Sequence, residues 1–242
     1  LGDDESGEGN DFAETNIAAG DQFTDTPTLN YCTLNPLHGF QASYEVLAEG
    51  NTEFKSGGYK GGSTFAIPKK GKWFWEVHFE DATANSDPRI GIADINLAQS
   101  FNFTGDTGFI GHVIGYLGDV LKNSGSPDTL ADSDWTSGDV ISVAVDVDNT
   151  RYTLYKNGTA LAGFNPMTMT ELNSSLYDFT AYFVDGSAAG TYPMHVNFGP
   201  NGTFNGNETA GGNADDNGHG DFFMDVPSGF YALNSKNLAE HG

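Results

Sequence analysis

The chain has few basic residues and a single cysteine. Ten Lys and Arg residues stand against 33 Asp and Glu residues, so the formal net charge at pH 7 is −23. An electrostatic field of that sign repels phosphate backbones and anionic lipid head groups, and we therefore expect neither nucleic acid nor a membrane as a partner. Cys32 has no second cysteine to pair with, which excludes an internal disulfide framework.

Long hydrophobic runs and helical periodicity are also missing. No apolar run approaches the roughly 20 residues of a membrane span, and no charged-then-apolar secretory leader is present. The first residue is Leu, from which we expect a processed chain or a piece of a longer one. Gly, with 32 residues, and Phe and Tyr, with 18 and 10, dominate instead. This composition is typical of many short strands joined by tight turns.

The clearest pattern lies between residues 138 and 161. Apolar side chains recur there at every second position, which is the pleat of a half-buried strand: Ile141, Val143, Val145 and Val147. Asp148-Asn149 supplies residues that tolerate a tight reversal, Arg151 to Lys156 returns as a second strand, and Asn157-Gly158 is a strong hairpin signal. The segment predicts three consecutive antiparallel strands.

A second alternation runs from Gly71 to Glu80. Four apolar residues share one face (Trp73, Trp75, Val77 and Phe79), and the other face carries Phe74, Glu76, His78 and Glu80. We expect the first face to be core and the second to be at least partly solvated. Further β-rich segments occur at 88–95, 111–122 and 178–200, and the Gly-interrupted segment at 88–95 predicts a strand close to a neighbour's backbone. These segments predict an all-β fold, an antiparallel β-sandwich.

The two ends of the sequence differ from this pattern. Residues 1–28 are predicted to form an acidic N-terminal arm, because residues 1–26 hold eight carboxylates and no Lys or Arg. We expect the arm to lie against its own body or a neighbouring subunit. Residues 29–242 are assigned to the sandwich, including a long loop of Gly, Asn and Asp at 201–221.

One strand face offers a candidate catalytic pair. The spacing of Glu76, His78 and Glu80 resembles the E-x-D-x-E arrangement of laminarinase-type glycoside hydrolases, whose retaining mechanism needs two carboxylates about 5 Å apart. Here the middle residue is His, and Trp73 and Trp75, which could stack on sugars, fall on the opposite face. The pattern favours an outward, solvated strand face, so we assign no catalytic residue and expect no enzyme.

A second candidate is a cation site in the loop. Five residues fit the first positions of a calcium loop, N-x-D-x-N-G-x-x-D: Asn213, Asp215, Asn217, Gly218 and Asp221. Position 12 is Met224 and not the bidentate Glu that completes such a site. We favour a polar turn cluster and assign no metal and no cofactor, while calcium near Asp215 and Asp221 stays open.

Half of the basic residues fall within eighteen positions: Lys55, Lys60, Lys69, Lys70 and Lys72. Such a cluster can receive an acidic surface, including the N-terminal arm of another copy. Edge-strand lysines that block unwanted pairing are an equal alternative. The sequence contains no phosphate loop, nucleophile elbow or dinucleotide fingerprint, so the binding residues stay unassigned.

Together, the β segments resemble a SPRY-type (concanavalin-like) β-sandwich, a jelly roll. The matching pieces are GKWFWEVHFE at Gly71, RIGIAD at Arg89, IGYLGD at Ile114, DWTSGDVISVAVDVDNTRYTLYKNGTAL from Asp134 and VNFG at Val196. The resemblance covers roughly Tyr31 to Pro200. It implies a non-catalytic module that binds through loops at the end or edge of the sandwich.

The terminal blocks carry a narrower resemblance. YCTLNPL at Tyr31, the run from NFGPNGTF to GHGDF and the closing PSGFYALNSKNL are similar to segments of structural proteins of tailed bacteriophages, especially tail and fibre-like proteins. This resemblance implies a virion structural or attachment protein that assembles in symmetric copies with other virion proteins and contacts a host-surface glycan or protein. The alternatives are a glycan-binding, lectin-like module and a glycosidase that uses Glu76 and Glu80.

Overall fold

Two antiparallel sheets stack face to face in the computed structural model, which describes residues 6–10, 25–39, 47–54, 60–83, 86–96, 109–123, 128–130, 134–184 and 193–242. The strands in these residues are β1 (Leu34–Gly39), β2 (Leu47–Ala48), β3 (Glu53–Phe54), β4 (Lys60–Ile67), β5 (Lys72–Phe79), β6 (Arg89–Asp94), β7 (Gly111–Gly115), β8 (Asp119–Lys122), β9 (Asp128–Thr129), β10 (Val140–Asp146), β11 (Arg151–Lys156), β12 (Thr159–Ala160), β13 (Met167–Thr168), β14 (Phe179–Val184), β15 (Met194–Asn197) and β16 (Tyr231–Ala232). One α-helix, α1 (Ser235–His241), follows them.

The strand order divides these elements into two sheets. Sheet I has the order β1-β4-β14-β6-β7-β8-β9, and sheet II has the order β12-β11-β10-β5-β15-β3-β2. In sheet II, β13 pairs with β11, and β16 runs parallel to the first half of β5. The antiparallel sandwich predicted from the sequence is confirmed. No helix among the described residues is long and apolar enough to cross a membrane.

The predicted hairpins form as the alternation indicates. β10 pairs with β11 from Ile141↔Lys156 to Asp146↔Arg151, and β12 returns against β11. Asn157 and Gly158 both have positive φ, 47° and 81°, as the tight two-residue turn between β11 and β12 requires.

The main core lies between the sheets. The inward side chains of β5 are fully buried there with those of β10 and with residues of sheet I, including Ile90, Ile92, Phe179 and Phe183. Aromatic rings fill much of this space. The ring of Phe198 lies between those of Trp75 and Phe183, with centroid distances of 6.4 Å and 6.2 Å. Burial of rings of this size is the main source of stabilisation in such a core.

The outer face of sheet II is buried at Phe74, Glu76 and His78, where the sequence favoured a solvated strand face, while Glu80 is exposed as expected. Residues 199–242, here called the C-terminal cover, lie across it. Phe222 meets Phe74 edge to face at 5.0 Å, and both belong to a second apolar cluster with Leu29, Tyr31 and Ala232. The sandwich therefore has a third layer, built mostly of irregular chain, while β16 within the same segment pairs with β5 in sheet II.

Close strand packing explains the glycine in RIGIAD. Gly91 on β6 pairs with Val113 on one side and Tyr182 on the other. A Cβ at this position would overlap the carbonyl oxygen of His112 and lie 2.9 Å from the Cα of Val113. The predicted approach to a neighbour's backbone is confirmed.

Replacing Gly91 by Ala should therefore destabilise the fold. The methyl group would force β6 and β7 apart, and we expect the free energy of unfolding in urea to fall by about 1–3 kcal/mol. Ala66→Ser, on the exposed side of β4, is the control and should change it by less than about 0.5 kcal/mol. Equal stability of the Gly91→Ala variant and the native chain would contradict the packing described.

Candidate functional site

Three rows of paired residues cross β5, β10 and β11 on the outer face of sheet II. In each row the middle residue belongs to β10, and the rows are Lys72–Asp146–Arg151, Phe74–Ala144–Thr153 and Glu76–Ser142–Tyr155. Side chains in such rows stand about 5 Å apart and contact one another. The C-terminal cover lies over part of these rows and leaves part of them open.

Glu76 is the carboxylate that the cover closes over. Its Oε1 accepts hydrogen bonds from the backbone N–H of Met224 at 3.0 Å and the hydroxyl of Ser142 at 3.2 Å. Its Oε2 accepts from the N–H of Phe223 at 2.8 Å and the Asn197 amide at 3.3 Å. Burial raises the pKa of Glu76 to about 7, and the four hydrogen bonds oppose that rise. Glu76 therefore fastens the cover to the sheet.

The glycosidase alternative is wrong on this geometry. It needs two carboxylates in an open cleft, whereas Glu76 is 0% exposed and all its partners are protein groups. Glu80 is exposed, and its Oε1 lies 2.7 Å from Nε2 of His195.

The Trp side chains are also unavailable for stacking on sugars. Trp73, Trp75 and Trp135, the three Trp residues of the chain, are at most 1% exposed. The large apolar side chains that the described residues expose are Leu37, Leu117 and Leu176, none of them aromatic. The glycan-binding alternative therefore gains no support from a row of exposed rings.

His78 and His195 form a buried pair beneath the cover. Nδ1 of His195 lies 2.9 Å from the amide nitrogen of Asn205, and Nε2 lies 2.7 Å from Oε1 of Glu80 and 2.9 Å from the amide nitrogen of Asn207. His78 is 4% exposed, with Nε2 3.5 Å from Glu208 and Nδ1 unpartnered among the described residues.

This environment keeps His78 neutral. Burial lowers the pKa of His78 to about 4, and a charge on His195, whose ring centroid is 5.8 Å away, lowers it further. The carboxylates of Glu80 and Asp139 act in the opposite direction. The cover therefore rests on an imidazole that cannot easily become charged.

The calcium candidate is a hydrogen-bonded turn. Oδ1 of Asp215 accepts from the N–H groups of Asn217 and His219, and Oδ2 accepts from the N–H of Ala232 and the amide of Asn237, all at 2.7–3.0 Å. Four donors already occupy this carboxylate, so it is not free to ligate a cation. No group of three or more His, Cys, Asp and Glu residues in the described ranges has a metal-binding arrangement.

The lysines of the cluster that the structure describes are divided between the two sheets. Lys69 pairs with Asp178 at 3.1 Å and lies 5.8 Å from the ring of Phe179 in sheet I. Lys72 pairs with Asp146 at 3.3 Å on sheet II. Lys60 begins β4, Lys70 is exposed, and Lys55 lies outside the described residues.

The N-terminal part of the chain holds the acidic arm and the single cysteine. Most of the acidic arm lies outside the described residues, and residues 6–10 and 25–28 are exposed, so its docking stays a prediction. Cys32 is buried, and burial raises the pKa of its thiol, so it has the character of a core residue and not of a nucleophile.

The open part of the outer face is a cavity that the sequence did not reveal. It has a volume of about 260 Å³ and is lined chiefly by Lys72, Ala144, Asp146, Arg151, Tyr155 and Phe230. The first five come from the three rows, and Phe230 comes from the C-terminal cover. The alternation of β10 and β11 places Asp146 opposite Arg151, but the pairing with Lys72 and the wall from Phe230 depend on distant parts of the chain.

Asp146 organises the charges of this cavity. Burial raises the pKa of its carboxyl, but hydrogen bonds from Asn149 and the nearby Lys72 outweigh burial and lower the pKa overall. The resulting carboxylate lies 3.3 Å from Nζ of Lys72 and 3.6 Å from the guanidinium of Arg151. Two cations thus share one anion.

Comparison with known proteins assigns the fold. Residues 72–190, from β5 to just beyond β14, match the SPRY domain family. The SPRY domain of human HERC1 aligns with 67% of this chain and 96% of its own length, at 16% identity and a TM-score of 0.51. The structure of stonustoxin aligns over 68% of this chain and 28% of its own, at 14% identity and a TM-score of 0.50.

These likenesses establish the fold. SPRY domains are generally non-catalytic modules that mediate protein–protein interactions. No curated protein matches the sequence. Nothing in the comparisons links the chain to a bacteriophage.

Replacing Glu76 by Gln should loosen the C-terminal cover. The new NH₂ group would face N–H donors, and we expect a loss of about 2–4 kcal/mol in the free energy of unfolding, with faster hydrogen exchange at the amides of Phe223 and Met224. Ser142→Ala removes one of the four hydrogen bonds and should cost only about 1 kcal/mol. Equal effects of the two variants would show that Glu76 does not hold the cover.

The buried His78 should make the fold sensitive to acid. Its folded-state pKa of about 4 lies below the ordinary value of 6.5, so its stabilising contribution is complete above pH 6.5 and is lost as the pH falls toward 4. We expect a loss of about 3 kcal/mol from this residue over that range. Denaturant titrations between pH 7 and 4 should show a shallower decline for His78→Phe. Parallel declines would contradict this assignment.

Proposed function

We propose that the SPRY domain of this chain, residues 72–190, works as a non-catalytic protein-binding module. The family match carries the proposal, since SPRY domains generally mediate protein–protein interactions. The burial of Glu76 supports it, because the carboxylate of the candidate catalytic pair that would act on a substrate is occupied in holding the chain together.

The finer role we propose is that of a structural or attachment protein of a bacteriophage virion, bound to other virion proteins in symmetric copies. This role rests on the resemblance of the terminal sequence blocks to tail and fibre-like proteins. The location in the virion is part of the same proposal.

The contacts between those blocks are compatible with this role. The N–H of Cys32 donates to the carbonyl of Leu233 at 2.9 Å, Tyr31 bridges to Asn234, and the N–H of Ser235 donates to the carbonyl of Asn30. The first and last of the blocks on which the virion proposal rests are therefore joined to each other by backbone hydrogen bonds.

Cross-linking mass spectrometry of purified phage particles tests both levels of the proposal. We expect the chain to sediment with the particles at a constant ratio to the major capsid protein, and to form reproducible cross-links from residues 72–190 to one other virion protein. An abundant host protein followed through the same gradient controls for adhering contaminants. Absence of the chain from particles would overturn the virion role, and a particle-bound chain with no cross-link from these residues would overturn the binding role of the SPRY domain.

A further inference from the structure

The cavity on sheet II exists because two of the three side chains in the middle row, Ala144 and Thr153, are small. Ala144 and Thr153 lie between the charged row above them and Tyr155 in the row below. Phe230 from the C-terminal cover and Tyr155 form aromatic walls on the cavity. The strand register and the position of the C-terminal cover therefore create this cavity. Its location differs from the loops at the end or edge of the sandwich, where the SPRY resemblance implies a binding site.

The two cations in the cavity are held differently. Nζ of Lys72 lies 3.3 Å from Asp146 and 5.6 Å from the centre of the Phe230 ring, so its position is fixed from both sides. Arg151 has 47% of its side chain exposed, and its one ion-pair contact among the described residues is at 3.6 Å. Since a guanidinium carries five N–H donors, Arg151 keeps donors for a ligand.

The charge balance selects an anionic ligand. Lys72 and Arg151 together carry two positive charges against the single carboxylate of Asp146, in a chain whose net charge is −23. Most of the surface of so acidic a chain repels acidic groups of a partner. The local excess of positive charge at Lys72 and Arg151 therefore directs those groups to the cavity. The cavity is therefore suited to an acidic group and is flanked by rings that suit an apolar neighbour.

We propose that this cavity is a subsite for a glutamate or aspartate side chain in an acidic peptide segment of the protein partner. The ligand carboxylate accepts hydrogen bonds from Arg151 and lies near Lys72, while an adjoining apolar side chain packs on Tyr155 and Phe230. This inference rests on the protein-binding function proposed above and names the chemistry that the partner must present. Planar carboxylate recognition by arginine is among the stronger and more directional polar contacts in proteins.

Fluorescence anisotropy with labelled eight-residue peptides tests the subsite. The probes alternate Glu and Leu, Gln and Leu, or Lys and Leu, so that only the charged group changes. We expect the Glu-Leu peptide to bind the native chain at least about tenfold more tightly than either other peptide. Binding of the Glu-Leu peptide no tighter than that of the Gln-Leu peptide would overturn the proposal.

Matched charge variants locate the binding. Arg151→Gln should weaken binding of the Glu-Leu peptide by about tenfold or more, because it removes the charged donor. Lys236→Gln on α1 removes the same charge from another exposed position and should leave the affinity unchanged. Equal losses in both variants would mean that general attraction and not this cavity binds the peptide. Arg151 is exposed, so its variant should fold normally, with an unchanged melting temperature.

The same variants separate this inference from the proposed function. In the particle cross-linking experiment, Arg151→Gln should reduce the yield of cross-links to the partner protein. If the cross-links persist undiminished, the subsite is wrong and the protein-binding function stands. If the native chain itself forms no cross-links from residues 72–190, the function fails, and the peptide affinities still decide independently whether the cavity recognises carboxylates.

Discussion

The buried carboxylate of Glu76 is the interaction on which the third layer of this protein depends. An ionisable group fully removed from water is costly unless its oxygens are satisfied, and here each oxygen accepts two hydrogen bonds. Two of the four donors are backbone amides of the C-terminal cover, so the carboxylate is stable only while the cover is in place. The sheet and its cover thus require each other, and this constraint selects one position of an otherwise irregular segment.

Other buried polar groups extend the same principle along the cover. Asn197, at the end of β15, accepts from the N–H groups of Gly199 and Asn201 and so turns the chain back over the sheet. Asp215 bonds the N–H of Ala232 in β16 and the side chain of Asn237 in α1, which joins the turn to both elements. A segment rich in Gly, Asn and Asp has little apolar surface, and these side-chain hydrogen bonds to backbone supply the specificity that packing alone would not.

Local periodicity was sufficient for much of the sandwich and insufficient for its outer layer. The alternation in β5 and β10 and the turn at Asn157-Gly158 predicted the strands, the hairpin and the inward face, because strand pleating repeats every two residues. Glu76 and His78 were expected in solvent because charged and polar residues usually lie there. The partners that bury Glu76, Phe223 and Met224, lie 147 and 148 residues later in the chain. No local sequence pattern encodes a contact over that separation. The cavity escaped prediction for the same reason, since its Lys72 and Phe230 walls come from distant segments.

The pairing of residues 30–32 with residues 233–235 has a mechanical consequence. These segments run antiparallel and are joined by a short series of hydrogen bonds, from Cys32 and Leu233 outward to Asn30 and Ser235. Tension that pulls residues 29 and 236 apart would load these bonds one at a time, as in unzipping, and would peel the body open from this corner. If only one of the two segments were pulled, while the opposite side of the sandwich was held, the force would pass through the sheets. Many hydrogen bonds would then share it.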